Sequence, residues 1–221
     1  GLLTDFYELT MMAGYLKEGR GERRVCFEYA FRDLPPHAGF AVSAGVTPFI
    51  DYLAGLRFSN EDIDYLRSLA TFDEDFLEYL RGFRARCTVR AVPEGTLVFP
   101  HEPILQVEGG LMETQLIESA LLNILNYQTL IATKAARVCL AAEFGLRRAH
   151  GPDGAVSGSR AAYIGGCHAS SNVLAGRVYG IPVAGTHAHS WVMSFPNELE
   201  AFRAFARQYP DRCVLLVDTY D

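Results

Sequence analysis

In its last third, the chain keeps alternating short apolar runs with stretches of helical character, and the apolar runs stop at knots of polar side chains. Three such knots stand out. Gly145-Leu146-Arg147-Arg148-Ala149-His150 leads into the turn signal Gly151-Pro152-Asp153-Gly154. Ile181-Pro182-Val183-Ala184 leads into Gly185-Thr186-His187-Ala188-His189-Ser190. The buried-strand run Cys213-Val214-Leu215-Leu216-Val217 leads into Asp218-Thr219-Tyr220-Asp221. Helical segments at roughly 156–165, 170–179 and 197–208 separate them. Strands joined through helices can pair in parallel, so this pattern restricts the region to βα units of an α/β fold. In such folds ligands bind at the carboxyl ends of the strands, where these polar knots fall.

The richest knot is Ile181 to Phe195. Two histidines, Thr186 and Ser190 crowd into five residues of it. Histidine has the side-chain pKa nearest neutrality, so His189 suits proton or phosphoryl transfer, or hydrogen bonding to substrate. The competing structural reading is a buried imidazole satisfied by backbone groups. Residues two apart on a strand face one side, so His187 and His189 form a candidate metal pair. That pair supports an alternative class, a metal-dependent hydrolase on a βα barrel, although no acidic ligand cluster accompanies it. Arg147 and Arg148, alternating on a strand, point to opposite faces, and one of them can hold a phosphate bidentately. Gly165-Gly166 and the helix start Ala169-Ser170-Ser171-Asn172 could present N–H groups to an anion, or simply cap a helix. Asp218 is placed to bind Mg²⁺ or a ribose hydroxyl, or to cap a following helix. From spacing alone Tyr7, on the first helix, is a packing aromatic.

Composition narrows the function classes. The 221 residues are 49% hydrophobic and 21% charged, enough for a substantial core. A net charge of −6 disfavours a general nucleic-acid binder. Five cysteines without a C-x-x-C pair suit reduced thiols and a cytoplasmic location. The longest apolar-leaning region, Leu116 to Ala142, is broken by Glu118, Asn123, Asn126, Lys134 and Arg137, so no membrane span is expected. The chain stops at the tip of an apparent core strand, and a whole βα barrel needs about 250 residues. We therefore expect the amino-terminal part of a longer protein.

Residues 1–110 read as an α+β domain and 111–221 as the βα portion. Thr4 caps a helix to Lys17, and Val25, Phe27, Tyr29 and Phe31 mark a half-buried strand. Thr47 to Ala54 reads as a helix. Ser59 with Asp62 forms a capping box opening a helix to Leu69, and Asp73 to Phe83 is a further helix. Three strands, 87–91, 96–99 and 104–107, suggest an antiparallel meander. Leu116, Ile117, Ala120, Leu121, Ile124 and Leu125 recur at helical spacing, and Leu130 to Ala142 reads as a second helix.

The runs LLTDFYELTMMAGY, GLRRAHGPDG, YIGGCHASSNVLAG, GIPVAGTHAHSWVMSF and LLVDTYD, in this order across nearly the whole chain, closely resemble the nicotinate phosphoribosyltransferase family. The resemblance implies an amino-terminal α/β domain followed by the first part of an irregular βα barrel of the type II phosphoribosyltransferase kind. It implies synthesis of nicotinate mononucleotide from nicotinate and phosphoribosyl pyrophosphate, a step of NAD biosynthesis. The family couples this to ATP hydrolysis through a phosphohistidine, with Mg²⁺ accompanying the phosphates. It also implies a homodimer with shared active sites. The phosphohistidine of the family's G-T-x-A-H-S motif corresponds to His189. The motif's threonine, near the nicotinate carboxylate, corresponds to Thr186, and its serine to Ser190. The tyrosine of T-D-x-Y, which stacks on the pyridine ring from a neighbouring subunit, corresponds to Tyr7. The arginine pair corresponds to Arg147 and Arg148, and the D-T-Y-D aspartate to Asp218. His187 fills the variable x position, which argues against the metal pair. The nicotinamide-specific relatives lack G-T-x-A-H-S, so nicotinate is the expected substrate. The family's later arginine and glycine-rich phosphate loop have no counterpart here, so an inactive fragment is the other alternative.

Overall fold

The structure, a computed structural model, describes residues 1–34, 38–138 and 141–220. It is mixed α/β. Contacts divide it into two compact units, Gly1–Cys139 with Arg160–Gly166, and Leu140–Ser159 with Cys167–Asp221.

The first unit is built on helices α1 (Phe6–Lys17), α2 (Val46–Gly55), α3 (Asn60–Ser68) and α4 (Glu74–Arg81) and a three-stranded antiparallel sheet. In the sheet, β5 (Leu105–Gly110) lies between β1 (Arg24–Tyr29) and β3 (Thr88–Ala91). A separate antiparallel pair joins β2 (Ala41–Val42) to β4 (Leu97–Val98). The expected meander is therefore absent: the middle strand leaves its sequence neighbours and pairs with β2. Helices α5 (Leu111–Leu116) and α6 (Glu118–Val138) complete the unit. Their contacts place residues 111–138 with the α+β part, whereas the division drawn from sequence at residue 110 groups them with the βα part. The buried apolar side chains come from all of these helices and from β5: Met12, Phe49, Ile63, Leu66, Phe76, Leu77, Leu80, Leu105 and Leu116 are essentially inaccessible. Each such side chain contributes about 1.5–3 kcal/mol of burial.

The capping box on α3 is present as expected. Ser59 Oγ accepts the Asp62 N–H at 3.1 Å, and the Asp62 carboxylate accepts the Ser59 N–H at 2.9 Å. At α1 the N-cap is Asp5 rather than Thr4, whose hydroxyl instead donates to the Leu116 carbonyl. The helix expected from Leu130 is the second half of one continuous α6, with no breaker to interrupt it. Cys139 and Leu140, inside that expected helix, and Asp221 of the D-T-Y-D run lie outside the described residues.

The second unit carries the parallel pairing that the alternation predicts. β6 (Ala142–Glu143) pairs in parallel with β7 (Ala169–Ser170), and Ser170 bridges in parallel to Val183. The connections are helical: α7 (Gly151–Ile164), which ends within the first unit, and α8 (Val173–Tyr179). Helices α9 (His189–Met193) and α10 (Glu198–Gln208) follow. Three sequence expectations fail here. Arg147 and Arg148 sit on a 3-10 turn, Leu146–Arg148, not on a strand. The turn signal at Gly151-Pro152-Asp153-Gly154 is the first turn of α7, where a proline's missing N–H costs nothing. Residues 213–217 form no strand, because a strand exists through its ladder and no ladder partner lies among the described residues. Among the described residues no helix is long and apolar enough to cross a membrane.

Candidate active site

The three parallel segments of the second unit end side by side, and each end opens into a polar connection. Backbone bonds fix the ends: Ser171 N–H donates to the Glu143 carbonyl at 2.9 Å. Ser170 N–H donates to the Pro182 carbonyl, and Ala184 N–H to that of Ser170.

His189 is the first residue of α9 and is exposed. Its Nδ1 lies 3.3 Å from Thr219 Oγ1, which brings the D-T-Y-D run against the histidine knot. Among the described residues Nε2 has no hydrogen-bond partner, so it is accessible to an external electrophile. Thr186 is exposed, and its hydroxyl donates to the His187 carbonyl at 2.8 Å, leaving its lone pairs and backbone N–H for a ligand. Ser190 is exposed in the first turn of α9.

His187 is of a different kind. It is only 8% exposed and packs its ring 4.9 Å from Phe205 and 5.6 Å from Phe202. Its Nε2 accepts the Leu216 N–H at 3.2 Å, and its Nδ1 lies 3.3 Å from the Ala188 carbonyl. A single tautomer satisfies both contacts, with Nδ1 donating. The expected H-x-H pair facing one side of a strand is therefore corrected. The segment is not a strand, and the helix start falls between the two imidazoles. One anchors residues 213–217 and the other faces solvent. Among the described residues no group of three or more His, Cys, Asp or Glu side chains is placed to hold a metal.

Arg147 and Arg148 are exposed, and neither has a carboxylate partner among the described residues. Asp218 is also exposed and lies outside any ion pair among them. The 169–172 segment resolves into a cap: the Asn172 side chain accepts the Ala175 N–H at 3.1 Å. Tyr7 belongs to the first unit, on α1, with 47% of its surface exposed. Glu143, Ser159 and Thr219, which contact one another's segments or His189, gave no signal in sequence. Their roles arise from pairing between segments distant in the chain.

The family profile described as nicotinate phosphoribosyltransferase (NAPRTase) N-terminal domain matches residues 2–126. The chain belongs to the nicotinate phosphoribosyltransferase family. A nicotinate phosphoribosyltransferase of Bacillus subtilis (strain 168) is 50% identical over 226 aligned residues, which cover 100% of this chain and 46% of that protein. The crystal structure of human nicotinic acid phosphoribosyltransferase is 45% identical and superposes with a TM-score of 0.81, over 88% of this chain and 41% of its own. That of a nicotinate-nucleotide pyrophosphorylase from Pyrococcus furiosus is 27% identical with a TM-score of 0.76, covering 99% and 50%. The chain thus spans about half the length, or less, of these relatives.

Proposed function

We propose that this chain carries the phosphoryl-accepting and part of the substrate-binding machinery of a nicotinate phosphoribosyltransferase. The enzyme joins nicotinate to the ribose of phosphoribosyl pyrophosphate, releasing pyrophosphate, and couples the step to ATP hydrolysis through His189. The observation that carries this reading is the whole-chain likeness to the Bacillus subtilis enzyme, together with an exposed His189 whose Nε2 has no partner among the described residues.

In the glycosyl step, pyrophosphate leaves the anomeric carbon while positive charge builds there. Positioning and charge stabilisation then dominate the rate. Thr186 holds the nicotinate carboxylate through its hydroxyl or N–H. Arg147 and Arg148, without a carboxylate partner among the described residues, hold phosphate groups of the donor. His189 Nε2 attacks the γ-phosphorus of ATP, forming the N–P bond as the bond to ADP breaks, and water later hydrolyses the phosphohistidine. Ser190 lies one residue beyond, where its hydroxyl can contact the same phosphoryl group. Mg²⁺ arrives with the polyphosphates. Asp218, exposed and outside any ion pair among the described residues, offers the hard oxygen ligand that this ion prefers.

The parallel segments at 142–143, 169–170 and 183 are, in this reading, the opening strands of an irregular βα barrel of the type II phosphoribosyltransferase kind. The superposition on the human structure supports this. The active enzyme is a cytoplasmic homodimer with shared sites. The test is direct: a full-length enzyme carrying this sequence is given nicotinate, phosphoribosyl pyrophosphate and Mg-ATP. Nicotinate mononucleotide should form with ADP release, and nicotinamide should be a far poorer substrate. No nucleotide product, or stoichiometric zinc or iron in the active protein, would defeat the reading.

A further inference from the structure

We infer that Glu143 is the positioning residue of the arginine turn, fixing where Arg147 and Arg148 present their guanidinium groups to the phosphates of the phosphoribosyl donor. The inference rests on the transferase reading above and deepens it.

Glu143 stands at the carboxyl end of β6, and its carboxylate has three neutral donors around it. Oε2 accepts from the Ser170 hydroxyl at 2.6 Å and lies 2.8 Å from the Ser159 hydroxyl, whose single proton it shares with the Ala155 carbonyl at 2.9 Å. Oε1 accepts the Gly145 N–H. The two serines are 1% and 2% exposed, so they are fixed points of the second unit and not solvent-facing rotors. Ser170 is further pinned because its oxygen accepts the Asn172 N–H at 3.0 Å, and Asn172 is wholly buried. The carboxylate therefore transmits a rigid anchor to Gly145. That residue is held from both sides, since its carbonyl accepts the Arg148 N–H at 2.9 Å and closes the 3-10 turn. A carboxylate beside an anion site cannot itself bind the anion. With its lone pairs given to three N–H and O–H donors, its use is geometric. The arginines it positions have no carboxylate partner of their own among the described residues, so their charge is left for a ligand. Misplacing such a pair by an ångström is enough to lose bidentate recognition of phosphate.

Two substitutions reach this arrangement from opposite ends. Glu143→Gln keeps the volume but replaces one acceptor oxygen by a donor amide, so the three donors can no longer all be met. Gly145→Ala leaves the carboxylate intact. However, its added Cβ would lie 2.7 Å from Glu143 Oε1, and the carboxylate could yield only by leaving its serines. In the full-length enzyme, both variants should raise KM for phosphoribosyl pyrophosphate about tenfold, the value of one misplaced charged hydrogen bond, with KM for nicotinate within about twofold of the parent. Calorimetric titration with phosphoribosyl pyrophosphate should show the same loss without turnover. If Glu143→Gln does not fold, Gly145→Ala and Ser170→Ala carry the test. Donor KM and Kd unchanged in folded variants, or both substrates affected equally, would overturn the assignment while leaving the transferase reading intact. A parent enzyme that makes no nicotinate mononucleotide would instead overturn that reading, and with it the ligand named here.

Discussion

At the scale of single residues, neighbours decide what each histidine can do. His187 spends both nitrogens on the protein and its ring on Phe202 and Phe205, so it anchors backbone. His189, two positions on, has no partner at Nε2 among the described residues. His189→Ala in the full-length enzyme should abolish transfer of label from γ-labelled ATP to protein and uncouple hydrolysis from synthesis. Slow ATP-independent synthesis should survive, since the proposed binding of both substrates does not use the imidazole. Unchanged labelling would remove His189 from the phosphoryl-transfer role. Thr186 tests the other substrate. Loss of one hydrogen bond to a charged group costs about 1.5–3 kcal/mol, so Thr186→Val should raise the nicotinate KM roughly ten- to a hundredfold. The ATP KM should hardly move, and parallel rises in both would mean that the substitution disturbs the fold instead.

At the scale of elements, a largely buried ion pair joins three segments of the first unit. Arg160 on α7 forks onto Glu94 at 2.6 and 2.9 Å, and Glu94 also accepts from the Gly45 N–H at 2.6 Å and the Thr47 hydroxyl at 2.9 Å. Gly45 has φ near +100°, and a Cβ there would lie 3.0 Å from the Ile124 carbonyl, so only glycine brings its N–H to Glu94 without strain. Burial pushes the Glu94 carboxyl up, but the Arg160, Thr47 and Gly45 contacts outweigh it and hold the group below its ordinary value. A depressed carboxyl stabilises the fold above its unfolded pKa and loses that contribution as pH falls through the folded one. Glu94→Gln should therefore cost about 1.5–3 kcal/mol in urea unfolding near neutral pH, and the deficit should shrink on acidification below the ordinary carboxylate range. A deficit constant across pH would show that packing, not charge, is lost. This clamp was illegible in sequence because its members come from residues 45, 47, 94 and 160. The capping box at Ser59 and Asp62 was legible because it closes within three residues. The same contrast explains the arginine turn. Alternation suggested a strand at 145–150, but the Glu143 carboxylate, fixed by serines on other elements, takes the Gly145 N–H that strand pairing would need. It explains the 213–217 run too, whose apolar composition suggested a buried strand but cannot supply a ladder partner, and whose Val214 and Val217 are exposed.

At the scale of the whole molecule, the residues proposed for the site fall in different compact units, Tyr7 in the first and Arg147, Arg148, Thr186, His189, Ser190 and Asp218 in the second. α1 roots itself through Leu9 and Met12, which are buried, and through Glu8, whose carboxylate accepts from the Gln115 amide at 2.5 Å. With that face committed, Leu3, Phe6, Tyr7 and Met11 are left exposed as an apolar end of the helix. Such a patch suits contact with another surface, and an aromatic ring within it suits stacking on a pyridine. In the homodimer proposed above, the ring would belong to a neighbouring subunit's nicotinate site. Two full-length variants decide the matter, Tyr7→Ala and His189→Ala, each inactive in coupled synthesis on its own. If Tyr7 acts across the dimer, a mixed dimer holds one site lacking both groups and one site with both. Random exchange of equal amounts makes half of the dimers mixed, so about a quarter of the parent's activity should return. If Tyr7 acts within its own chain, every site in every dimer lacks one group, and the mixture stays as inactive as its components even after exchange is confirmed by differential labelling.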